Sequence, residues 1–235
     1  MKTSKKTIGK LFLGIVLATS FISSANAQFN VGADIVSSYV WRGVQQGSNE
    51  PNIQPTLSYS IGKFTIGAWG SGNLSGSLKE FDLYASYAFS DILSATVTDY
   101  NWVFTPGKSY FNYKAPETDH IYEASINYAG VEAFPLSVSV NTMFYGADKK
   151  TDGSQAYSSY IELAYPICPE AKVFLGASLL ESPSVYATTG FSICNVGIKA
   201  TKQIKFSDSY SLPVYGIVGA NPGAGTAFLV AGVTF

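Results

Sequence analysis

Asn52-Ile53-Gln54-Pro55-Thr56-Leu57-Ser58-Tyr59-Ser60-Ile61 is the stretch whose reading decides the architecture. Ile53, Pro55, Leu57, Tyr59 and Ile61 alternate strictly with Gln54, Thr56, Ser58 and Ser60. Successive side chains of a strand point to opposite faces, so one face here is apolar and the other is small and polar. The polar face carries Ser and Thr where a water-facing strand would carry Lys and Glu. That combination suits a wall with lipid on one side and a narrow polar interior on the other.

The same alternation recurs along the chain. Phe81, Leu83, Ala85, Tyr87 and Phe89 oppose Asp82, Tyr84, Ser86 and Ala88; Leu136, Val138, Val140, Thr142 and Phe144 oppose Ser137, Ser139, Asn141 and Met143. Val196, Ile198, Ala200, Ile204 and Phe206 face away from Asn195, Lys199, Thr201 and Gln203. Twelve strands are predicted, beginning near Phe29, Asn52, Phe64, Glu80, Ile92, Asp119, Leu136, Tyr157, Ala171, Phe191, Ser211 and Thr226. Longer connections such as Arg42 to Pro51, Ser71 to Lys79 and Thr105 to Thr118 alternate with tight ones such as Gly62-Lys63 and Ser90-Asp91. The predicted fold class is therefore all-β, an antiparallel up-and-down transmembrane barrel of about twelve strands, with ten or fourteen as alternatives. Trp41 and Tyr39 above the first strand, Trp102 and Phe104 above the fifth, and Tyr122, Tyr157 and Tyr165 at other strand ends are expected to form interfacial girdles.

The bulk composition agrees. Aromatic residues make up 14% and charged residues 13%, whereas soluble domains are typically about 25% charged. Lys2, Lys5, Lys6 and Lys10 precede the short apolar run Leu11 to Ala18, and Ser23-Ser24-Ala25-Asn26-Ala27 has the small-x-small pattern of a cleavage site. Residues 1–27 are expected to be a signal peptide cleaved before Gln28, and 28–235 the barrel, delivered to the bacterial outer membrane. With those four lysines removed, 11 of the 15 basic side chains face 16 acidic ones, a formal charge of −5. That balance argues against a nucleic-acid partner, which requires a basic face. The expected partners are outer-membrane lipid and, through the aromatic-ended strand Ala227 to Phe235, the outer-membrane assembly machinery; the sequence does not set the oligomeric state. Cys168 and Cys194 are expected near opposite ends of neighbouring strands, where a disulfide is geometrically hard.

Three motifs carry a family resemblance. Ser38-Tyr39-Val40-Trp41-Arg42-Gly43 closes the opening strand, and Ile53-Gln54-Pro55 and Ala68-Trp69-Gly70-Ser71 follow. This pattern, densest from Val31 to Tyr100, resembles the TorF (Gcw_chp) family of small exported, porin-like bacterial proteins. The resemblance implies a barrel in the outer membrane and brings no catalytic residues with it.

The chemistry is sparse. His120 lies by parity on the face of Tyr122, Ile126 and Tyr128. A lipid-modifying barrel could use it as a base, but no serine stands out as nucleophile and no acid stands out to orient the ring. No catalytic residue, metal site or cofactor is expected. Asp34, Asp82, Glu123, Glu162, Lys172 and Lys199 fall on polar faces, and Arg42 is placed at the outer mouth. Such charges could form a mixed channel wall or be internal salt bridges. Ser58, Ser60, Ser86 and Ser125 would leave room in the lumen, whereas Tyr84 and Tyr160 could constrict it. The leading expectation is a diffusion channel for ions or small polar solutes. The alternatives are a plugged, partner-binding barrel and, behind it, a lipid-modifying enzyme.

Overall fold

The structure is a computed structural model and describes residues 27–102, 109–115, 117–208 and 210–235. The strands are β1 (Ala27–Val36), β2 (Val40–Trp41), β3 (Val44–Gln45), β4 (Asn52–Ile61), β5 (Phe64–Asn73), β6 (Lys79–Ser90), β7 (Leu93–Tyr100) and β8 (Ile121–Tyr128). The remainder are β9 (Ser137–Gly146), β10 (Ser159–Cys168), β11 (Ala171–Ser178), β12 (Glu181–Ser182), β13 (Thr188–Thr189), β14 (Ser192–Ser207), β15 (Tyr210–Asn221) and β16 (Thr226–Thr234). Twelve of them close a barrel in the order β1-β4-β5-β6-β7-β8-β9-β10-β11-β14-β15-β16, with β16 returning to β1. Every pairing is antiparallel between chain neighbours apart from that closing seam, as an up-and-down barrel requires. Its predicted class and strand count hold. Beyond prediction, the connections at the loop end contain two small hairpins, β2–β3 and β12–β13.

The barrel is inside out relative to a water-soluble protein. Among the described residues twenty polar or charged side chains are buried against twelve apolar ones, so the interior is a polar one. Leu57, Val97, Val218 and Leu229 point outward and are exposed, while Glu123, Ser125, Asn141 and Asn195 point inward and are buried. Closure leaves the ladder hydrogen bonds satisfied strand to strand, which is what lets such a wall stand in hydrocarbon. At the turn end, Phe29–Tyr59, Tyr87–Phe89, Phe134–Tyr165 and Phe206–Tyr210 form aromatic pairs. Tyr122 packs on Phe144 and Tyr145 nearer the loop end.

Large inward side chains do not simply block the lumen. Tyr84 stands opposite Gly67, Tyr215 opposite Gly232 and Phe228 opposite Gly219 in the strand register. A Cβ at Gly67 would lie 2.4 Å from the Tyr84 ring, and one at Gly232 2.2 Å from that of Tyr215. Each ring thus lies flat along the wall over a glycine, an aromatic cover for a residue without a side chain. Tyr84, expected as a constriction, is laid aside in this way.

Two sequence expectations about the wall need correcting. Tyr39 and Trp41 do not belong to an outer girdle: the chain after β1 turns inward and carries both into the lumen, where Tyr39 is buried. Phe104, assigned to the same girdle, lies outside the described residues. Cys168 and Cys194 are free, and their strands β10 and β14 are separated by β11 rather than adjacent. The predicted signal peptide lies outside the described residues apart from Ala27, which opens β1 opposite Ile61.

Candidate functional site

The candidate site is the lumen, and its centre is the β2–β3 hairpin. Val40-Trp41 and Val44-Gln45 pair around a two-residue turn, Arg42-Gly43. Both turn residues have positive φ, +50° and +79°, the signature of the type I′ turn that suits the twist of a tight hairpin. Glycine is at ease there. Arginine is not, and a left-handed conformation costs an L-residue roughly 1–2 kcal/mol.

Contacts of the guanidinium offset that cost. Arg42 donates from Nη1 to Glu123 Oε2 at 2.5 Å and from Nη2 to Glu123 Oε1 at 2.8 Å, a bidentate pair. Nη1 also donates to the Tyr186 hydroxyl at 2.8 Å. The charge lies 4.4 Å from the Trp41 ring centre and 4.8 Å from that of Tyr160. Tyr186 stacks on both Trp41 and Tyr160. Tyr100 and Ser125 hydroxyls donate to the remaining capacity of Glu123 Oε1. A bidentate, charge-assisted pair between aromatic planes is the setting in which arginine outperforms lysine.

The hairpin spans the lumen. Tyr39 packs against Trp69 of β5, Trp41 against Tyr100 of β7, and Arg42 holds Glu123 of β8. On the far side Asn221 of β15 donates to the Gly43 carbonyl at 3.2 Å. A Cβ on Gly43 would fall 1.8 Å from the Cys194 carbonyl oxygen of β14, so the tip is seated directly on the wall. Tyr186 arrives from the β12–β13 loop, where its backbone N–H donates to Ser182 and Ser182 is bonded by Ser158. Ser158 in turn is tied to the buried Asp148. The loop-end half of the lumen is therefore filled.

The turn-end half is open. A cavity of about 750 Å³ is lined by Ser94, Asn127, Ser137, Ser139, Glu162 and Lys172, among others. Glu162 lies at its inner limit, accepting hydrogen bonds from Tyr160 at 2.6 Å and Asn195 at 3.1 Å. Lys172 and Lys199 stand directly opposite one another on β11 and β14. Lys199 Nζ lies 4.1 Å from the Tyr215 ring centre, and Tyr215 donates to Asp34 at 3.2 Å.

The sequence-selected charges thus separate into distinct groups. Arg42 and Glu123 are brought together; Asp34, Lys199 and Lys172 share the lower wall; Glu162 lies between these two groups. Asp82 belongs to a fourth neighbourhood, buried beside Glu80 and accepting the Asn101 N–H at 3.1 Å. Arg42 is not at the outer mouth but inside the lumen, because its hairpin folds inward. Tyr186 escaped sequence reading, and Asn195 was read as a polar-face position without a role in the site. The Arg-Gly pair flanked by Val-Trp and Val-Gln was the one local sign of a hairpin there.

His120 also differs from expectation. It sits on the outer wall, on the side of Tyr122, but it is buried there under Tyr110 and Tyr113. An acid does orient it: Asp99 Oδ1 is 2.6 Å from Nδ1. Nε2 lies 2.6 Å from the Tyr110 carbonyl, which can only accept, so Nε2 carries a proton. That nitrogen is committed to the backbone and is not poised to take a proton from a nucleophile.

Comparison with known proteins places this geometry in context. A search of the curated proteins finds no match. Among solved structures, a double mutant of Rh. blastica porin aligns over 92% of this chain and 79% of its own, at 16% identity and a TM-score of 0.41. The family model described as "Bacterial protein of unknown function (Gcw_chp)" matches residues 22–169, more than half of the chain, including β2–β3 and the Arg42–Glu123 pair. The chain therefore belongs to the Gcw_chp family.

Proposed function

We propose that this protein is an outer-membrane channel for ions or small polar solutes, held shut by the β2–β3 hairpin. The observation that carries the proposal is the nature of the obstruction. Its core is a loop hairpin folded into the lumen and latched by the Arg42–Glu123 ion pair, above an open polar cavity. A barrel built only as a scaffold is more economically filled by its own wall side chains, as small barrels are. Here the wall rings lie flat over glycines and a removable segment does the filling. The outward apolar surface and the aromatic pairs at strand ends support the membrane setting.

The test is conductance of the refolded residues 28–235 in a planar bilayer. The wild-type chain should be silent or flicker, and a variant with residues 40–45 replaced by a short Gly-Ser turn should show sustained discrete steps. Large steady conductance from the wild type would contradict the shut state. Silence from a folded hairpin-less barrel would overturn the channel reading. It would favour the second reading, a plugged barrel that binds a partner through its loops, for which the Asp148–Ser158–Ser182 ties between two loops are the supporting observation.

A further inference from the structure

The outer wall near the loop end is not a smooth apolar cylinder. β5 presents Gly70 and Gly72 outward, and a Cβ added at Gly72 would meet nothing within 4 Å. The wall there is a dent. Ile53 and Pro55 of β4 bound it on one side, and Phe81 of β6, with Tyr110 and Phe111, bounds it on the other; the groove measures about 920 Å³. Tyr110 packs on Phe81 with ring centres 5.7 Å apart, and Phe111 is 81% exposed.

One wall of this groove is thus completed by Tyr110 and Phe111 of residues 109–115, a segment draped over the outside of the barrel. The polar groups behind it explain how it stays there. His120 donates to the Tyr110 carbonyl and is held by Asp99. The Tyr145 hydroxyl donates to the Tyr113 carbonyl at 2.9 Å and accepts from the Ala115 N–H at 3.2 Å. A carboxyl and an imidazole on outward positions of a lipid-facing wall are expensive unless they are paired and covered. Here their hydrogen bonds lead to the segment that walls the groove.

We propose that this groove is a binding site for one acyl chain of a membrane lipid. The proposal rests on the membrane setting given above. The groove opens onto the apolar belt, with Leu57, Ile66 and Leu83 exposed on the same three strands, so the medium that reaches it is hydrocarbon. β4, β5 and β6 are hydrogen-bonded on both sides, which leaves no free edge for a partner strand. Lys79 lines the loop-end rim, at the level of a lipid headgroup.

The experiment reconstitutes the full mature chain in phosphatidylcholine vesicles containing phosphatidylglycerol with a diazirine in one acyl chain. Adducts are mapped after irradiation. Labelling of peptides carrying Ile53, Phe81 and Phe111 should exceed by several-fold that of the exposed belt around Val218 and Leu229. Gly72→Phe, which fills the dent, should lower groove labelling to the belt level and leave the belt unchanged. His120→Ala should do the same by releasing the segment, with folding of each variant checked by heat-dependent gel mobility. Should Gly72→Phe not fold, Phe111→Ser removes one wall without touching the ladder. Labelling no higher than the belt, or insensitive to these changes, would overturn the proposal, as would protein–protein adducts at the groove, which would assign it to a second copy. Absence of labelling over the whole outer wall would instead defeat the membrane setting itself.

Discussion

At the scale of single residues, Arg42 and Glu123 carry the greatest consequence. Glu123 is a buried charge and Arg42 a largely covered one, and each makes the other tolerable. Removing one partner of a buried pair typically costs about 3–5 kcal/mol, because the survivor is left uncompensated, whereas replacing both by apolar residues is often neutral. Glu123→Ala is therefore expected to lower unfolding stability in urea by roughly that amount, or to expel the hairpin to escape the cost. The double variant Arg42→Met with Glu123→Leu should recover most of the loss. If the two changes add, the residues act separately and the latch is not one. His120 teaches a related lesson at this scale: an outward position read from parity was correct, yet its cover came from Tyr110, ten residues upstream in a loop, and its partner Asp99 from the neighbouring strand β7.

At the scale of elements, the loop-end connections are knitted together by short polar side chains. Glu50 lies between β3 and β4 and gathers the Ser75 N–H and the hydroxyls of Ser48, Ser75 and Ser77 from its own loop and the β5–β6 turn. Asn73 adds a donor at 2.8 Å. These donors, the Ser48 hydroxyl foremost, hold the Glu50 carboxyl below its ordinary value of 4.5. A depressed folded value means that the clasp contributes in full above the ordinary value and is lost as pH falls through the folded one. Amide-exchange protection of Ser75 and Leu78 should accordingly drop in acid, below about pH 4.5, and stay flat in Glu50→Gln. A pH-independent protection in the wild type would show that the carboxylate does not organise the turn. Strand reading itself succeeded for β4 because alternation is a local property that ten consecutive residues display. The β2–β3 hairpin was missed as an element because two-residue strands carry almost no periodic signal.

At the scale of the whole molecule, the barrel is closed unevenly. β1 registers with β4 over Ala27–Val36 but with β16 only over Asp34–Val36, supplemented by the Ala33–Phe235 and Ser37–Ala231 backbone bonds. β14 pairs with β15 from Val196 to Ser207, which engages β15 from Tyr210 to Ala220. Local opening follows the density of such contacts, so exchange in the folded barrel should appear first at the β16 amides facing β1 and last in the β14–β15 hairpin. Simultaneous exchange around the ring would show that the plug, which touches β5, β7, β8, β14 and β15, holds the seam as firmly as the ladder does elsewhere.

The amino-acid sequence by itself determined the wall: twelve strands, their antiparallel order, and which face of each turns outward. Those features follow from period-two alternation and from short connections between neighbours, both of which act over a handful of residues. Only the tertiary structure decided what the wall encloses. Arg42 meets Glu123 across 81 residues and Tyr186 across 144, and Gly43 meets Asn221 across 178. No local pattern encodes distances of that order, since the inward fold of one loop is favourable only when strands from the rest of the ring present the matching acid, rings and amide. The same holds for the rings laid over glycines, because a tyrosine constricts or clears a lumen according to which residue the register sets beside it.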